Sequence, residues 1–156
     1  HLKPVAYDLT EQACTVLLSF EQRIEDKDIR VEGLEDCPRI DVTGDFDLLG
    51  QVIYNLVDNA VKFTPPGRGV RLWLDEAQRS VSVRNTGAGI PAQEMPHIFE
   101  RFYKSDRSRS LDKNGMGLGL YIVKTVINLH HGEIVVRSVE GEYTEFEFWL
   151  PDTPGV

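Results

Sequence analysis

The sequence predicts an α/β fold: one sheet with its helices layered on one side. Three observations point there. Segments that alternate apolar and polar residues outnumber the helical segments. The helical segments are long and apolar on one face only. Short clusters of Gly, Pro, Asp and Asn separate them. At 156 residues, 41% apolar and 27% charged, residues 1–156 make one globular domain with room for a single core.

Taken in order, the opening HLKPVAY reads as extended. Asp8 with Glu11 is a capping pair for a helix running to about Lys27, with Ala13, Val16, Leu17, Phe20 and Ile24 at helical spacing. Short strands follow at 28–32 and 39–43, and Gly44–Asp45 caps a helix over 46–63. Pro65, Pro66 and Gly67 stop that helix. Residues 69–75 and 80–84 alternate as two adjacent strands. A helix is expected over 118–131, ended by Gly132, and then strands over 133–138 and 144–150 around a turn.

The bulk numbers exclude several classes. A net charge of −8 is wrong for nonspecific nucleic-acid binding or a basic membrane surface. No apolar run approaches a membrane span and no signal peptide opens the chain, which begins at His1 and reads as a piece of a longer protein. Cys14 and Cys37 stand apart with no metal spacing, which fits a reducing compartment. None of the four histidines sits in a ligand motif, and His130–His131 closes a helix.

Chemistry concentrates in three stretches. On the helix over 46–63, Asn55, Asn59 and Lys62 fall at i, i+4 and i+7, which at about 100° per residue is one face. Leu49, Val52, Ile53, Leu56 and Ala60 occupy another face, so the stripe of two amides and an ammonium is free of the core and suits a metal–polyphosphate. NTGAGI (85–90) leaves a strand through Gly87 and Gly89; a plain turn explains it by itself. GMGLGL (115–120) runs three glycines, Gly115, Gly117 and Gly119, straight into a helix. That puts unpaired N–H groups and the positive dipole end at one point, as a phosphate requires. It fits neither the G-x-x-x-x-G-K-[ST] loop nor the G-x-G-x-x-G fingerprint. Between the glycine stretches, Arg101, Lys104, Arg107, Arg109 and Lys113 gather five of the 17 basic residues, which reads as a lid over an anion. Ile98, Phe99, Phe102 and Tyr103 anchor its near end by packing.

The succession NLVDNAVKF, NTGAGI, HIFERFY, GMGLGL resembles the four boxes of the ATP-binding catalytic domain of bacterial sensor histidine kinases, in the superfamily shared with type II topoisomerases, the ninety-kilodalton heat-shock chaperone and MutL-type ATPases. GDFDLLGQVIYNL before the first box and HHGEIVVRS…TEFEFWLP at the end extend the likeness over nearly the whole chain. The resemblance implies a two-layer α/β sandwich: a mixed, mostly antiparallel sheet, three main helices on one face, and an ATP lid loop. It implies ATP with Mg²⁺ as ligands. Asn59 corresponds to the amide on Mg²⁺, Asn55 to a second amide at phosphate and metal, and Lys62 to a lysine on the phosphate chain. Phe63, Gly87 and Gly89 lie beside the base; Gly115, Gly117 and Gly119 cradle the phosphates; Lys104 stands where an arginine often reaches the γ-phosphate. Ile90, Phe102, Tyr103, Met116, Leu118 and Leu120 complete the expected nucleotide surround.

Two positions carry distinct meaning. The family usually has Asp where this chain has Asn85, whose carbonyl oxygen accepts the adenine amino hydrogen without charge assistance. Hydrolysing relatives carry Glu where this chain has Asn55, and an amide is no general base. Transfer to a protein acceptor is favoured over attack by water. No histidine here sits in an acceptor pattern, so the resemblance implies an upstream dimerisation and phosphoacceptor domain, a response regulator as partner, and a homodimeric parent anchored in the membrane, with this domain monomeric and cytoplasmic. A hydrolysing ATPase of the superfamily and a non-catalytic nucleotide-sensing module are the alternatives.

Overall fold

The computed structural model describes residues 1–103 and 118–151. Strand β1 (Pro4–Asp8) leads into helix α1 (Leu9–Leu18) and a short α2 (Glu21–Asp26). Strands β2 (Arg30–Glu32) and β3 (Asp41–Asp45) precede the central α3 (Phe46–Phe63). Then come β4 (Gly69–Asp75), β5 (Ser80–Thr86), a 3₁₀ turn (Met95–His97), α4 (Gly119–Leu129), β6 (Glu133–Val139) and β7 (Tyr143–Trp149).

The main sheet has strand order β2-β4-β5-β7-β6. Only β2–β4 is parallel, so the sheet is mixed and mostly antiparallel as expected. Two details differ from the sequence reading. The described residues form two sheets, because β1 and β3 pair with each other as an antiparallel ribbon instead of joining the five strands. The first helix also breaks at Ser19. Its hydroxyl donates to the Val16 carbonyl at 2.5 Å, a local bond that competes with helix propagation. The kink lets Phe20 turn fully inward while Leu18 stays 68% exposed.

The core lies between the sheet and the helices. Val70, Leu72 and Leu74 of β4, Val81 and Val83 of β5, and Phe146 and Phe148 of β7 meet Leu49, Val52, Ile53, Leu56, Val57, Ala60 and Val61 of α3 and Val123, Val126 and Ile127 of α4. On the other side of the sheet a charged ladder crosses three strands. Glu145 accepts from Arg84 at 3.0 Å and from Arg137 at 2.9 Å, and Arg137 also reaches Glu147 at 3.0 Å.

Both ends of α3 are fixed by distant residues. At its start, the buried Asp45 accepts from the Leu48 N–H at 3.1 Å and from the Lys3 N–H at 3.0 Å. The Asp45 N–H in turn donates to Nε2 of buried His130 at 3.0 Å, and His130 Nδ1–H donates to the Val126 carbonyl at 2.9 Å. His130 is therefore a connector between α3 and α4 as well as a helix end. At the other end, the Lys27 ammonium donates to the Val61 and Lys62 carbonyls, both at 2.8 Å, and burial lowers its pKa.

The bonds from Lys3 and then Leu48 hold the Asp45 carboxyl below its ordinary pKa. Asp45 therefore stabilises the fold fully above the ordinary carboxylate range near 4, and that contribution is lost as pH falls through the depressed folded value. Asp45→Ala should cost about 1 kcal/mol at neutral pH. Thermal unfolding across pH should show the gap between the native chain and Asp45→Ala narrowing below about pH 4. A gap that does not change with pH contradicts this account.

Candidate functional site

The polar stripe of α3 forms as its periodicity dictates. Asn55, Asn59 and Lys62 are half-buried, on a face apart from the buried apolar residues of the same helix. Asn55 Nδ2 donates to the Gly119 carbonyl at 3.2 Å, and its Oδ1 accepts from Gln51 at 2.7 Å. That first bond places the stripe against the start of α4. No described residue bonds the Asn59 amide. Lys62 pairs with Asp58 at 3.7 Å, and Asp58 also takes Arg23 at 2.8 Å.

The start of α4 suits an anion. Leu118 precedes it with no side-chain capping bond, and among the described residues no side chain caps the first-turn N–H groups. Among the described residues, a Cβ built on Gly119 meets nothing within 4 Å, so none of them demands a glycine here. Leu120 packs against the core from the first turn. Arg101 reaches the same turn: its Nη2 donates to the Tyr121 hydroxyl at 2.7 Å and its guanidinium lies 4.8 Å from the ring centroid. This staple was not legible in sequence, where Arg101 counted only as one of several loop cations.

The other wall comes from β5 and its exit loop. Asn85 is 4% exposed at the end of β5; its Nδ2 donates to the Thr86 carbonyl at a long 3.3 Å, and no described residue bonds its Oδ1. A Cβ on Gly87 would lie 2.9 Å from the carbonyl oxygen of Phe63, so the end of α3 and this loop are in close approach. Gly89 has φ +71°, and a Cβ there would lie 2.5 Å from the Val139 carbonyl oxygen. These two glycines therefore have packing reasons of their own. Ile90 is held by its N–H donating to Ser138 Oγ at 2.8 Å.

The aromatic segment before the lid position divides. Phe99 packs edge-on to Phe146, and Tyr103 donates to Glu94 at 2.6 Å while stacking on His97. Phe102 is 57% exposed with φ +65°, so it is not an anchor here. Lys104, Gly115, Met116 and Gly117, with Arg107, Arg109 and Lys113, lie outside the described residues.

The donor set fits a nucleotide with its metal. Among the described residues no three His, Cys, Asp or Glu side chains come together as a metal site. An amide oxygen on α3 with phosphate oxygens is the set a hard, water-retaining cation such as Mg²⁺ takes. A helix start that no described side chain caps lies beside it, and the buried Asn85 amide, whose Oδ1 no described residue bonds, stands at the far wall.

Residues 44–154 match the family model described as "Histidine kinase-, DNA gyrase B-, and HSP90-like ATPase". The Sensor protein SrrB of Staphylococcus aureus (strain MRSA252) is 35% identical over 136 residues, covering 86% of this chain and 23% of SrrB, so the chain spans about a quarter of that relative. Among solved structures, the catalytic domain of histidine kinase ThkA superposes with TM-score 0.82 at 28% identity, covering 97% of this chain and 99% of that one. Full-length ShkA in complex with AMPPNP gives TM-score 0.82 at 28% identity, covering all of this chain and 32% of that one. ThkA in complex with the response regulator protein TrrA gives 0.76 at 26% identity, covering 98% and 43%.

The two kinds of glycine should separate in thermal melts without ligand. Gly89→Ala is expected to cost about 1–3 kcal/mol through its positive φ and backbone clash. Gly119→Ala should leave the midpoint unchanged or slightly raised, since Ala favours helix. A large loss at Gly119 would make that glycine structural.

Proposed function

Since the chain belongs to the histidine kinase-, DNA gyrase B- and HSP90-like ATPase family, as the ATP-binding catalytic domain of a sensor histidine kinase, we propose that it seats Mg·ATP between α3 and the start of α4. It then offers the γ-phosphoryl to a histidine on a separate dimerisation domain. The observation that carries this is the Asn55–Gly119 bond, which sets the amide stripe of α3 beside an uncapped helix start.

The roles follow from chemistry. Asn59 Oδ1 would hold the metal, with Asn55 one turn before it as the second amide at phosphate and metal. The N–H groups at the start of α4 donate to phosphate oxygens, and Lys62 exchanges Asp58 for the phosphate chain. Arg101 adds positive charge at the first turn of α4 through Tyr121. Asn85 reads the base, with Phe63, Ile90, Leu118 and Leu120 around it. Lys104 keeps the γ-phosphate role that the resemblance gives it. Bound Mg²⁺ supplies charge neutralisation along the phosphates. Phosphoryl transfer asks for little more than positioning and such neutralisation.

Asn55 decides the fate of the bound nucleotide. It occupies the place of a general base yet has no proton affinity to serve as one, so water is not activated there. The ShkA–AMPPNP and ThkA–TrrA complexes support a nucleotide in this cleft and a response regulator downstream. On this reading the parent protein is a homodimer; no described helix is long and apolar enough to cross a membrane.

Titration calorimetry with Mg·ATP tests the site. Saturable binding is expected, with Asn59→Ala losing the Mg²⁺-dependent part. Labelled phosphate should pass to an added acceptor-histidine domain of the same protein, with negligible release to water. No saturation at millimolar nucleotide would refute the proposal, and steady hydrolysis by the domain alone would favour a clamp-type ATPase.

A further inference from the structure

We propose that Asn85 makes the base site permissive at purine position 6, so that it takes 6-oxo purine triphosphates as well as ATP. The inference rests on the nucleotide reading above and adds the class of substrate.

The register sets Asn85 of β5 opposite Thr144 of β7, and Thr144 opposite Ser138 of β6. The three form a polar row across one end of the sheet. Asn85 and Thr144 are buried, 4% and 6% exposed. Thr144 Oγ1 and Ser138 Oγ lie 3.2 Å apart, and Ser138 Oγ donates to the Tyr143 carbonyl at 2.7 Å. The row therefore completes its own bonds on the Ser138 side and leaves the Asn85 end open. Every side chain in it is neutral and holds both donor and acceptor atoms.

The Asn85 amide is held loosely. Among the described residues its one bond is the 3.3 Å contact from Nδ2 to the Thr86 carbonyl, near the outer limit of a useful hydrogen bond. A Cβ at position 87 would stand 3.3 Å from Nδ2, and glycine leaves that space clear. A half-turn of the amide exchanges its two ends; it gives up that weak bond and sets Oδ1 toward the Thr86 carbonyl oxygen, a repulsion that the long separation keeps small. With Oδ1 forward it accepts from a 6-amino group; with Nδ2 forward it donates to a 6-carbonyl. A carboxylate at this position has acceptors only and would repel the carbonyl. The amide removes that repulsion, and discrimination at position 6 goes with it.

Calorimetry of the domain with Mg·ATP and Mg·ITP reads this directly, because the two bases differ only at position 6 and the adjoining N1 proton. The native chain should bind ITP within about tenfold of ATP, since either amide orientation supplies one neutral hydrogen bond. Asn85→Asp should widen the preference for ATP to about a hundredfold or more, as an unpaired buried charge meets the carbonyl. ATP binding without ITP binding in the native chain overturns the permissive site and leaves the ATP proposal standing. Failure of both nucleotides to bind overturns both. The native ratio needs no variant, so it decides the matter even if Asn85→Asp does not fold.

Discussion

The arrangement depends on the knot at Asp45. One carboxylate caps α3 through Leu48 and ties down the chain start through Lys3, while its own N–H reaches His130 at the end of α4. Further along, Asn55 holds Gly119 at the other end of α4. The span from 46 to 55 on α3 is about 13 Å and the span from 119 to 130 is about 16 Å at 1.5 Å per residue. Similar lengths tied at both ends in opposite senses make α3 and α4 antiparallel neighbours. The uncapped start of α4 is thus delivered to the middle of the α3 polar stripe. Loosening the knot would let α4 slide and carry its start away from the amides.

The central helix therefore serves two environments. Its apolar face is sealed against β4, β5 and α4, with Leu49, Val52, Ile53, Leu56 and Val57 fully buried. Its polar face is half-buried, which leaves Asn59 open while Asn55 and Lys62 hold partners that a ligand can replace or share. Glycines divide the same way. Gly87 and Gly89 let the β5 exit loop approach Phe63 and Val139, whereas no described residue comes within 4 Å of a Cβ at Gly119. Close packing falls at the β5 exit loop, and among the described residues open space falls at the start of α4.

Periodicity made most of this legible. The 46–63 helix was readable to the residue because a 3.6-residue apolar pattern lies between an Asp cap and two prolines. Strands of the main sheet were readable because their inner faces alternate Val, Leu and Phe with polar residues. The β1–β3 ribbon was not, because pairing partners are a tertiary choice that five-residue strands do not encode. The break at Ser19 was hidden for a related reason: apolar spacing continues through it to Ile24, and only the three-dimensional demand to bury Phe20 reveals it. In the site, the Asn55–Asn59–Lys62 stripe and the glycine stretches carried local signals. The Lys27 cap on α3, the His130 connector and the Arg101–Tyr121 staple carried none, since each joins residues far apart in sequence.

The central claim is that the α3 amides and the start of α4 form one seat for metal and phosphate. Side-chain amide resonances of the domain recorded with Mn·ATP in place of Mg·ATP test it most directly. Paramagnetic broadening should fall first on Asn59 and Asn55 and spare Asn128, which lies exposed near the far end of α4. Broadening centred elsewhere, or equal at Asn59 and Asn128, would contradict the account.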